Sequence, residues 1–327
     1  MSLFLFIAGM VLLIVGSNWL VDGASSLARR FNISDLVIGL TIVAFGTSSP
    51  ELIVNLFASF NGNTDIAIGN VVGSNIFNTL VILGLTAVVT PIAVKSTTVW
   101  KEIPFSILAV VVMAFMANDI FIDGSSNDTI SRIDGFILLS FFSIFMAYTF
   151  ALAKSSGPLK EVTAKEMSVL KAIAFIATGL VGLFFGGKFL VDGAVDIARS
   201  LGISEAVIGL TVVAAGTSMP ELATSVVAAF KKKSDIAIGN VVGSNIFNVF
   251  FVLGISASIR PIPLNSVSSS NFDMIFLIIM SVIMFVFIFL GKERKINRLE
   301  GAFFFLAFVA YTLVLILDTE RLFPFRY

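Results

Sequence analysis

Two stretches of this chain are copies of one another. Residues 16–93 align with residues 186–263 at a constant offset of 170 positions and without a gap. Within them, the segment DIAIGNVVGSNIFN occurs twice without a single change, at 65–78 and at 235–248. Self-similarity of this kind marks a duplicated structural unit. The chain should therefore fold as two related halves, and a residue that matters in one half has a counterpart 170 positions away.

The composition places both halves in a membrane. Of 327 residues, 57% are hydrophobic and 13% are charged, and the mean hydropathy is +1.02. A soluble domain is about half apolar and about a quarter charged. Apolar stretches of the length that a helix needs to cross a bilayer recur along the whole chain. We predict ten spans, at roughly 3–28, 35–60, 66–89, 98–117, 134–153, 169–199, 205–230, 236–259, 273–291 and 301–318.

The span count fixes the geometry of the duplication. The first copy begins in span 1 and the second in span 6, so five spans, an odd number, separate their starts. The second copy therefore enters the membrane upside down. We predict an all-α polytopic membrane protein whose ten transmembrane helices form two inverted five-helix repeats, 1–153 and 169–327, joined by a linker at 154–168. Inverted repeats are found in many secondary transporters, whose sites lie near the midplane at the repeat interface.

The basic residues predict which side faces the cytoplasm. Loops on the N-terminal side hold five of the 21 lysines and arginines, loops on the other side hold fifteen, and Lys188 lies inside a span. The positive-inside rule then places both termini outside the cell membrane and the linker in the cytoplasm. The net charge is zero, which gives no reason to expect nucleic acid as a partner. The lipid bilayer is the expected surrounding, and no protein partner is implied.

The motif GTSSPEL in span 2, with its twin GTSMPEL in span 7, breaks the apolar pattern. Pro50 has no N–H and its ring crowds the carbonyl four residues earlier, and Pro220 does the same in the second copy. A kinked helix with freed carbonyls follows, with Thr47, Ser48 and Glu51 on one face. Irregular backbone at this depth is tolerated only when it is buried in protein or lines a cavity.

Two glutamates lie at the middle of these spans. A carboxylate at the bilayer centre costs about 3 kcal/mol or more, and an intramembrane ionisable residue is a functional hypothesis by default. Glu51 and Glu221, facing each other across the pseudo-two-fold axis, would repel unless a cation lay between them. Four aspartates near span ends are interpreted as structural instead: Asp22, Asp192, Asp65 and Asp235.

The identical segment adds a polar stripe beside them. Asn70, Ser74 and Asn78 recur every four residues and share one helix face, and the second copy repeats them as Asn240, Ser244 and Asn248. Such residues serve either as ligands or as interhelical hydrogen-bonding groups. For Asn70 and Asn240 both interpretations stay open. The GNVVG spacing of small residues predicts close helix packing.

The residues that are missing limit the chemistry. There is no histidine and no cysteine, so Ser-His or Cys-His catalysis and the usual zinc ligands are excluded. We predict that the protein is not an enzyme and has no cofactor. Oxygen ligands remain, and these suit hard cations such as calcium, magnesium and sodium.

The doubled GTSSPEL and GNVVGSNIFN motifs resemble the alpha repeats of the calcium/cation antiporter superfamily, and most of all those of prokaryotic sodium/calcium exchangers. The resemblance covers the paired repeats, about half of the chain. It implies a central calcium site flanked by sodium sites, with the two ions competing for shared oxygens. It also implies that spans 1 and 6 slide across a rigid core to switch access from one side to the other.

Carried over motif by motif, the resemblance implies a set of metal ligands. These are Glu51 and Glu221 with the backbone oxygens of Thr47 and Thr217 for calcium, the Ala44 carbonyl with Ser48 and Ser74 on one flank, the Ala214 carbonyl with Ser218 and Ser244 on the other, and Asn78 and Asn248 completing the centre. Some prokaryotic exchangers carry aspartate where this chain has Asn248, so the two glutamates are the only acidic groups in the centre. Proton-coupled relatives exist, and proton/calcium antiport through the same glutamates is the alternative. A channel is a more distant alternative.

Overall fold

The protein is described by a computed structural model over residues 2–125, 127–155, 167–201, 214–264, 267–290 and 294–319. The α-helices are α1 (Ser2–Arg30), α2 (Asp35–Ile38), α3 (Ala44–Thr47), α4 (Ser49–Asn61), α5 (Thr64–Phe77), α6 (Leu83–Val89), α7 (Ser96–Trp100), α8 (Glu102–Met116), α9 (Asp119–Asp123), α10 (Arg132–Ser155), α11 (Val169–Ser200), α12 (Ala214–Gly216), α13 (Met219–Phe230), α14 (Ser234–Ile246), α15 (Gly254–Ile259), α16 (Val267–Leu290) and α17 (Arg298–Thr319). Within the described residues, three π-helical segments interrupt them: π1 (Gly39–Val43), π2 (Asn78–Ile82) and π3 (Phe247–Leu253). Four two-residue strands complete the described part: β1 (Ile92–Ala93), β2 (Thr129–Ile130), β3 (Ile262–Pro263) and β4 (Lys295–Ile296).

The helices make this a multi-pass membrane protein. Among the described residues, eight helices are long and apolar enough to cross a membrane, and a ninth crossing results if Asp35–Thr47 and Ser49–Asn61, bent by 46°, are one span. Met219–Phe230 is a shorter apolar helix that occupies the second half of the predicted span 205–230. The first half of that span lies outside the described residues, as does most of the linker predicted at 154–168.

Short strand pairs hold the two halves together at opposite faces. Strand β1 pairs antiparallel with β4, and β2 pairs antiparallel with β3. The first pair joins loops that we predict on the cytoplasmic side, and the second joins loops that we predict outside. Each pair therefore connects a loop of the first half to a loop of the second half on the same predicted side.

Ion pairs cluster on the face predicted to be cytoplasmic. The Lys231 Nζ lies 2.7 Å from Asp22 Oδ1, and the Lys233 Nζ lies 2.8 Å from Asp35 Oδ2. A third pair joins Lys95 to Asp235. The predicted structural roles of Asp22 and Asp235 agree with these contacts, while Asp192 has a different surrounding, described with the site.

The helices that carry the polar stripes form the centre of the bundle. The crossing at Ile66–Val89 and the one at Ser234–Ile259 are mostly buried inside the protein, whereas α10 and α17 are mostly exposed on its outside. Polar side chains on the central helices can therefore meet one another away from lipid. This placement turns two sequence stripes into one interior cluster.

Helices α1 and α11 form a separate, tightly packed antiparallel pair. Glycines recur every seven residues on both, at positions that match by the offset of the duplication: Gly9, Gly16 and Gly23, and Gly179, Gly186 and Gly193. A Cβ at Gly9 would lie 2.4 Å from the Leu190 nitrogen, and one at Gly179 would lie 2.7 Å from the Leu20 nitrogen. Only glycine allows the two backbones to approach this closely.

Candidate cation site

Both proline motifs break their helices in the same way. The chain leaves helical geometry at Ser48, with φ −81° and ψ 7°, and at Ser218, with φ −90° and ψ 6°. A new helix starts directly afterwards, with the proline in its first turn. The predicted kinks are thus confirmed. They place Glu51 and Glu221 in the first turns of α4 and α13, where the helix dipole favours negative charge.

The two glutamates are held crosswise by the opposite kinks. Their exposed fractions are 1% for Glu51 and 0% for Glu221. The Ser218 hydroxyl donates to Glu51 Oε1 at 3.0 Å, and the Ser48 hydroxyl donates to Glu221 Oε1 at 2.9 Å. Each carboxylate from one repeat is therefore fixed by a serine from the other repeat. The two kinks form one shared interior site.

The remaining serines extend the same cluster. The Ser74 hydroxyl lies 3.4 Å from Glu51 Oε1, and the hydroxyls of Ser48 and Ser244 lie 2.9 Å apart. Ser74 and Ser218 therefore share Glu51, while Ser48 and Ser244 lie together at the other glutamate. The resemblance groups Ser48 with Ser74 on one flank and Ser218 with Ser244 on the other. The hydrogen bonds instead draw one serine from each flank to each glutamate.

Four carboxylate and amide oxygens of the predicted ligand set are buried without a hydrogen-bond partner among the described residues. They are Glu51 Oε2, Glu221 Oε2, Asn78 Oδ1 and Asn248 Oδ1. A buried acceptor left unpaired costs about 1–3 kcal/mol, and more when it is charged. Two carboxylate and two amide oxygens in symmetry-related pairs are the ligands that hard cations prefer. In the part of the chain that the structure describes, no set of three or more acidic side chains forms a metal site, so neutral oxygens have to complete the shell.

The asparagine oxygens stay open because their amide nitrogens are used elsewhere. Asn78 Nδ2 donates to Asn245 Oδ1 at 3.0 Å, and Asn248 Nδ2 donates to Asn75 Oδ1 at 3.0 Å. Sequence reasoning missed Asn75 and Asn245, although both lie in the identical segment one position after the polar stripe. Asn78 begins π2 and Asn248 lies in π3, and π-helical turns are frequent at functional sites.

The threonines and alanines of the predicted ligand set lie at the kinks. The Thr47 hydroxyl lies 3.1 Å from Asn240 Oδ1, whereas the buried Thr217 hydroxyl has no hydrogen-bond partner among the residues that the structure describes. The Ala44 carbonyl accepts the N–H of the residue at the helix break at 2.9 Å. Ala214 begins the three-residue helix α12. In the chain, these four residues precede the glutamates by four or seven positions.

The structure gives Asn70 and Asn240 a supporting position. Asn70 Nδ2 donates to the Glu51 carbonyl, and Asn240 Nδ2 donates to the Glu221 carbonyl, both at 3.3 Å. Their second partners are Asn55 and Ser225. Both asparagines thus tie the backbone beneath each glutamate to the neighbouring central helix. Of the two interpretations left open, hydrogen bonding between helices fits these contacts.

A cavity of about 310 Å³ lies between α11 and the kinks, and its lining includes Pro50, Thr217, Pro220, Lys188 and Asp192. It reaches the site on the side predicted to face outward. Lys188 is exposed and so adds a positive charge to the lining of this cavity, which Thr217 also lines. Lys188 is outside the ligand set predicted from the sequence, although a lysine inside a span is a signal of function.

The family of the chain follows from comparison with known proteins. Residues 1–151 and 171–317 match the family described as sodium/calcium exchanger protein. The chain belongs to the sodium/calcium exchanger family. This confirms the resemblance that the doubled motifs indicate.

Several proteins are similar to this exchanger-family chain over nearly its whole length. It is 37% identical to the putative antiporter CaxA of Alkalimonas amylolytica, covering 94% of this chain and 97% of that protein. It is 31% identical to the sodium/calcium exchanger MaX1 of Methanosarcina acetivorans, covering 95% and 97%.

The fold is also similar to solved structures of the sodium-calcium exchanger NCX_Mj. The structure soaked with 2.5 mM Na⁺ and 1 mM Sr²⁺ matches with a TM-score of 0.80 at 35% identity, covering 95% of this chain and 97% of that one. The structure soaked with 2.5 mM Na⁺ and 0.1 mM Ca²⁺ matches with a TM-score of 0.78 at 34% identity.

Proposed function

We propose that this protein is a secondary active antiporter that exchanges sodium for calcium across the cell membrane by alternating access. One observation carries the proposal: each half of the chain contributes one carboxylate oxygen and one amide oxygen that are buried without partners among the described residues, and each glutamate is held by a serine of the other half. Membership of the sodium/calcium exchanger family supports it. The transported ions are the only partners proposed, and both termini are placed outside the cell.

The two carboxylates explain why the protein would exchange ions rather than release them freely. Glu51 and Glu221 are fully buried, and two ionised carboxylates in one dry site repel each other. Calcium between them balances both charges, and sodium ions or protons can do so in its place. An empty, doubly charged site is the costly state, so the protein changes its access preferentially with cations bound. This ties the exit of one ion to the entry of another.

Access would change through movement of the α1–α11 pair against the remaining helices. The glycine contacts hold these two helices to each other. An ion pair between Asp22 of α1 and Lys231 at the end of α13 links the pair to the core on the predicted cytoplasmic side. The cavity beside Lys188 lies on the opposite side. A second cavity, of about 600 Å³ and lined by Asn18, Leu222 and Lys231 among others, lies on the predicted cytoplasmic side. Cavities on both sides of the kinks are what alternating access would use in turn.

The coupling ion is what an experiment should test first. The protein is reconstituted in liposomes, and calcium uptake is measured with a sodium gradient alone and with a pH gradient alone. We expect uptake under the sodium gradient and none above background under the pH gradient. The reverse result would establish the alternative, a proton/calcium antiporter. An amide rather than a carboxylate at position 248 favours this alternative. Uptake that needs neither gradient would contradict antiport and indicate a channel.

A further inference from the structure

A third cavity, of about 380 Å³, lies between α8 and α10 and is lined by Lys101, Glu102, Phe105, Ile144, Phe145 and Tyr148. It lies at the ends of spans 4 and 5 that we predict to meet the cytoplasmic membrane surface, the depth at which amphipathic aromatic residues concentrate. Glu102 falls outside the duplicated stretch, and the position 170 residues further on is Phe272. Glu102 therefore has no symmetry-related carboxylate and is not part of the duplicated cation cluster.

The Glu102 carboxylate is buried, and only one of its two oxygens accepts a hydrogen bond from the described residues. Its exposed fraction is 1%. The Tyr148 hydroxyl donates to its Oε1, while its Oε2 is buried and has no hydrogen-bond partner. A buried carboxylate oxygen needs a donor, and a charged N–H donor gives the strongest such bond. This oxygen is the feature of the cavity that points to a ligand.

A basic group and an apolar wall stand beside this carboxylate. The Lys101 Nζ lies 5.7 Å from the centre of the Tyr148 ring, and Lys101 makes no ion pair with the described residues. Its ammonium can therefore bind an anion. Ile144 is 59% exposed and faces the lipid side of the cavity with Phe105. An acid, a base and an apolar wall thus occur within one cavity at a membrane surface.

We propose that this cavity binds one phospholipid with a primary-amine headgroup. The lipid ammonium donates to Glu102 Oε2, the phosphate accepts from the Lys101 ammonium, and an acyl chain lies along Ile144 and Phe105. Phosphatidylethanolamine has this chemistry. Phosphatidylcholine has the same phosphate and acyl chains, but its quaternary nitrogen carries no N–H. The unpaired carboxylate oxygen should therefore discriminate between the two lipids.

The second half of the chain offers a built-in comparison. The Tyr311 hydroxyl donates to Asp273 Oδ1 at 2.9 Å, which is the same tyrosine–carboxylate bond between the fourth and fifth predicted spans of that repeat. Asp273, however, is only partly buried, and the residue before it is Phe272 rather than a lysine. The tyrosine–carboxylate bond is thus common to both halves, whereas the buried open oxygen and the lysine occur in the first.

Native mass spectrometry of the purified full-length protein tests this proposal. The protein is reconstituted in an equal mixture of phosphatidylethanolamine and phosphatidylcholine, and the retained lipids are counted. We expect the wild type to retain one phosphatidylethanolamine in preference to phosphatidylcholine. Glu102→Gln should weaken this retention about tenfold, the value of one charge-assisted hydrogen bond. Lys101→Ala should weaken the retention of both lipids, and Asp273→Asn should change neither.

Equal retention of both lipids by the wild type would overturn the proposal. So would a Glu102→Gln protein that keeps the wild-type preference. If size-exclusion chromatography shows that Glu102→Gln does not fold, the exposed Lys101→Ala variant decides, and its unchanged retention would overturn the proposal equally. The readout involves no ion flux, so it stands or fails independently of the proposed antiport.

Discussion

Single oxygen atoms decide what the interior cluster can bind. Glu51 and Glu221 each use one carboxylate oxygen to accept a hydrogen bond from the opposite kink and leave the other oxygen without a partner. Glutamine has nearly the same size, but it carries no charge and offers an N–H₂ group where an oxygen could meet a cation. A glutamine at either position therefore changes the chemistry of the cluster while leaving its shape.

The first prediction follows directly. Glu51→Gln or Glu221→Gln should reduce sodium-dependent calcium uptake in reconstituted vesicles to the level of protein-free vesicles, because a cation then faces one carboxylate instead of two. The control is Asp273→Asn, which removes a carboxylate that is bonded to Tyr311 and belongs to neither the predicted ligand set nor its observed hydrogen bonds, and it should keep wild-type uptake. Near-normal flux in either glutamine variant would remove these residues from the proposed site.

The second prediction concerns the effect of the Lys188 charge on calcium binding. Lys188 lines the cavity next to Thr217, where its positive charge repels an approaching cation. Replacing it with asparagine, the residue at the equivalent position 18, should lower the half-saturating calcium concentration about two- to fivefold at low ionic strength. The effect should shrink as salt is added, because exposed charges are screened. Uptake is measured with calcium added from the Lys188 side.

Lys171→Asn is the matched control for Lys188. Lys171 is also exposed, lies on the same helix and is removed from this cavity. The control should leave the half-saturating concentration unchanged. An equal effect of both substitutions would mean that only the overall charge matters, and it would contradict a specific role of Lys188.

The sequence predicted the components of the cluster and missed how they are paired. The period of the identical segment placed Ser74 and Asn78 on one face, and the doubled motif identified Glu51. It gave no means of deciding that Ser218 would meet Glu51, because that contact depends on how far two helices from different repeats are displaced along each other. Asn245 was missed for the same reason: its partner lies on the opposite central helix.

At the scale of helices, the α1–α11 pair shows how closely two backbones can pack. A Cβ on Gly16 would lie 2.8 Å from the Gly179 carbonyl oxygen and 2.9 Å from the Leu183 nitrogen. Backbone atoms cannot yield as a flexible side chain can. Any larger residue must push the two helices apart along their whole contact, because three glycines on each helix share it.

Gly16→Leu should therefore destabilise the protein by about 1–3 kcal/mol or more, the usual cost of overpacking a tight interface. The measurement is the melting temperature of the purified protein in detergent. The control is Val15→Leu, at the neighbouring position, which is 36% exposed and can take the extra volume toward lipid. If the Gly16→Leu protein has the same melting temperature as the control, the α1–α11 contact is looser than these distances indicate.

Hydropathy predicted the long helices well and the irregular elements poorly. The spans expected at 134–153 and 169–199 are observed at Arg132–Ser155 and Val169–Ser200. The π-helical segments were missed, because one extra residue in a turn leaves no mark on an apolar run. The strands were missed because a two-residue strand such as Ile92–Ala93 is too short to show alternation. The glycine repeat was visible in the sequence, but its role in close packing depends on which helix lies against it.

At the scale of the whole molecule, the two halves are alike in shape and unlike in charge. The duplicated kinks and stripes give the cluster its pseudo-two-fold arrangement. The ion pairs of Lys231, Lys233 and Lys95, in contrast, all lie at one end of the bundle. A symmetric site between asymmetric ends is equally suited to ions from either side, while the ends differ in how they hold the helices. The orientation in the membrane therefore matters for the proposed direction of exchange.

That orientation gives the last prediction. The chain has no cysteine, so a single introduced cysteine reports its own position. Ser96 and Ser125 are both exposed and lie on either side of the span at Thr98–Met116.

Because fifteen of the 21 basic residues lie in loops on the Ser96 side, that side should face the cytoplasm. In intact cells, a membrane-impermeant maleimide should label Ser125→Cys and spare Ser96→Cys until the membrane is permeabilised. The opposite pattern would invert the orientation, and labelling of both from outside would contradict a membrane crossing between them.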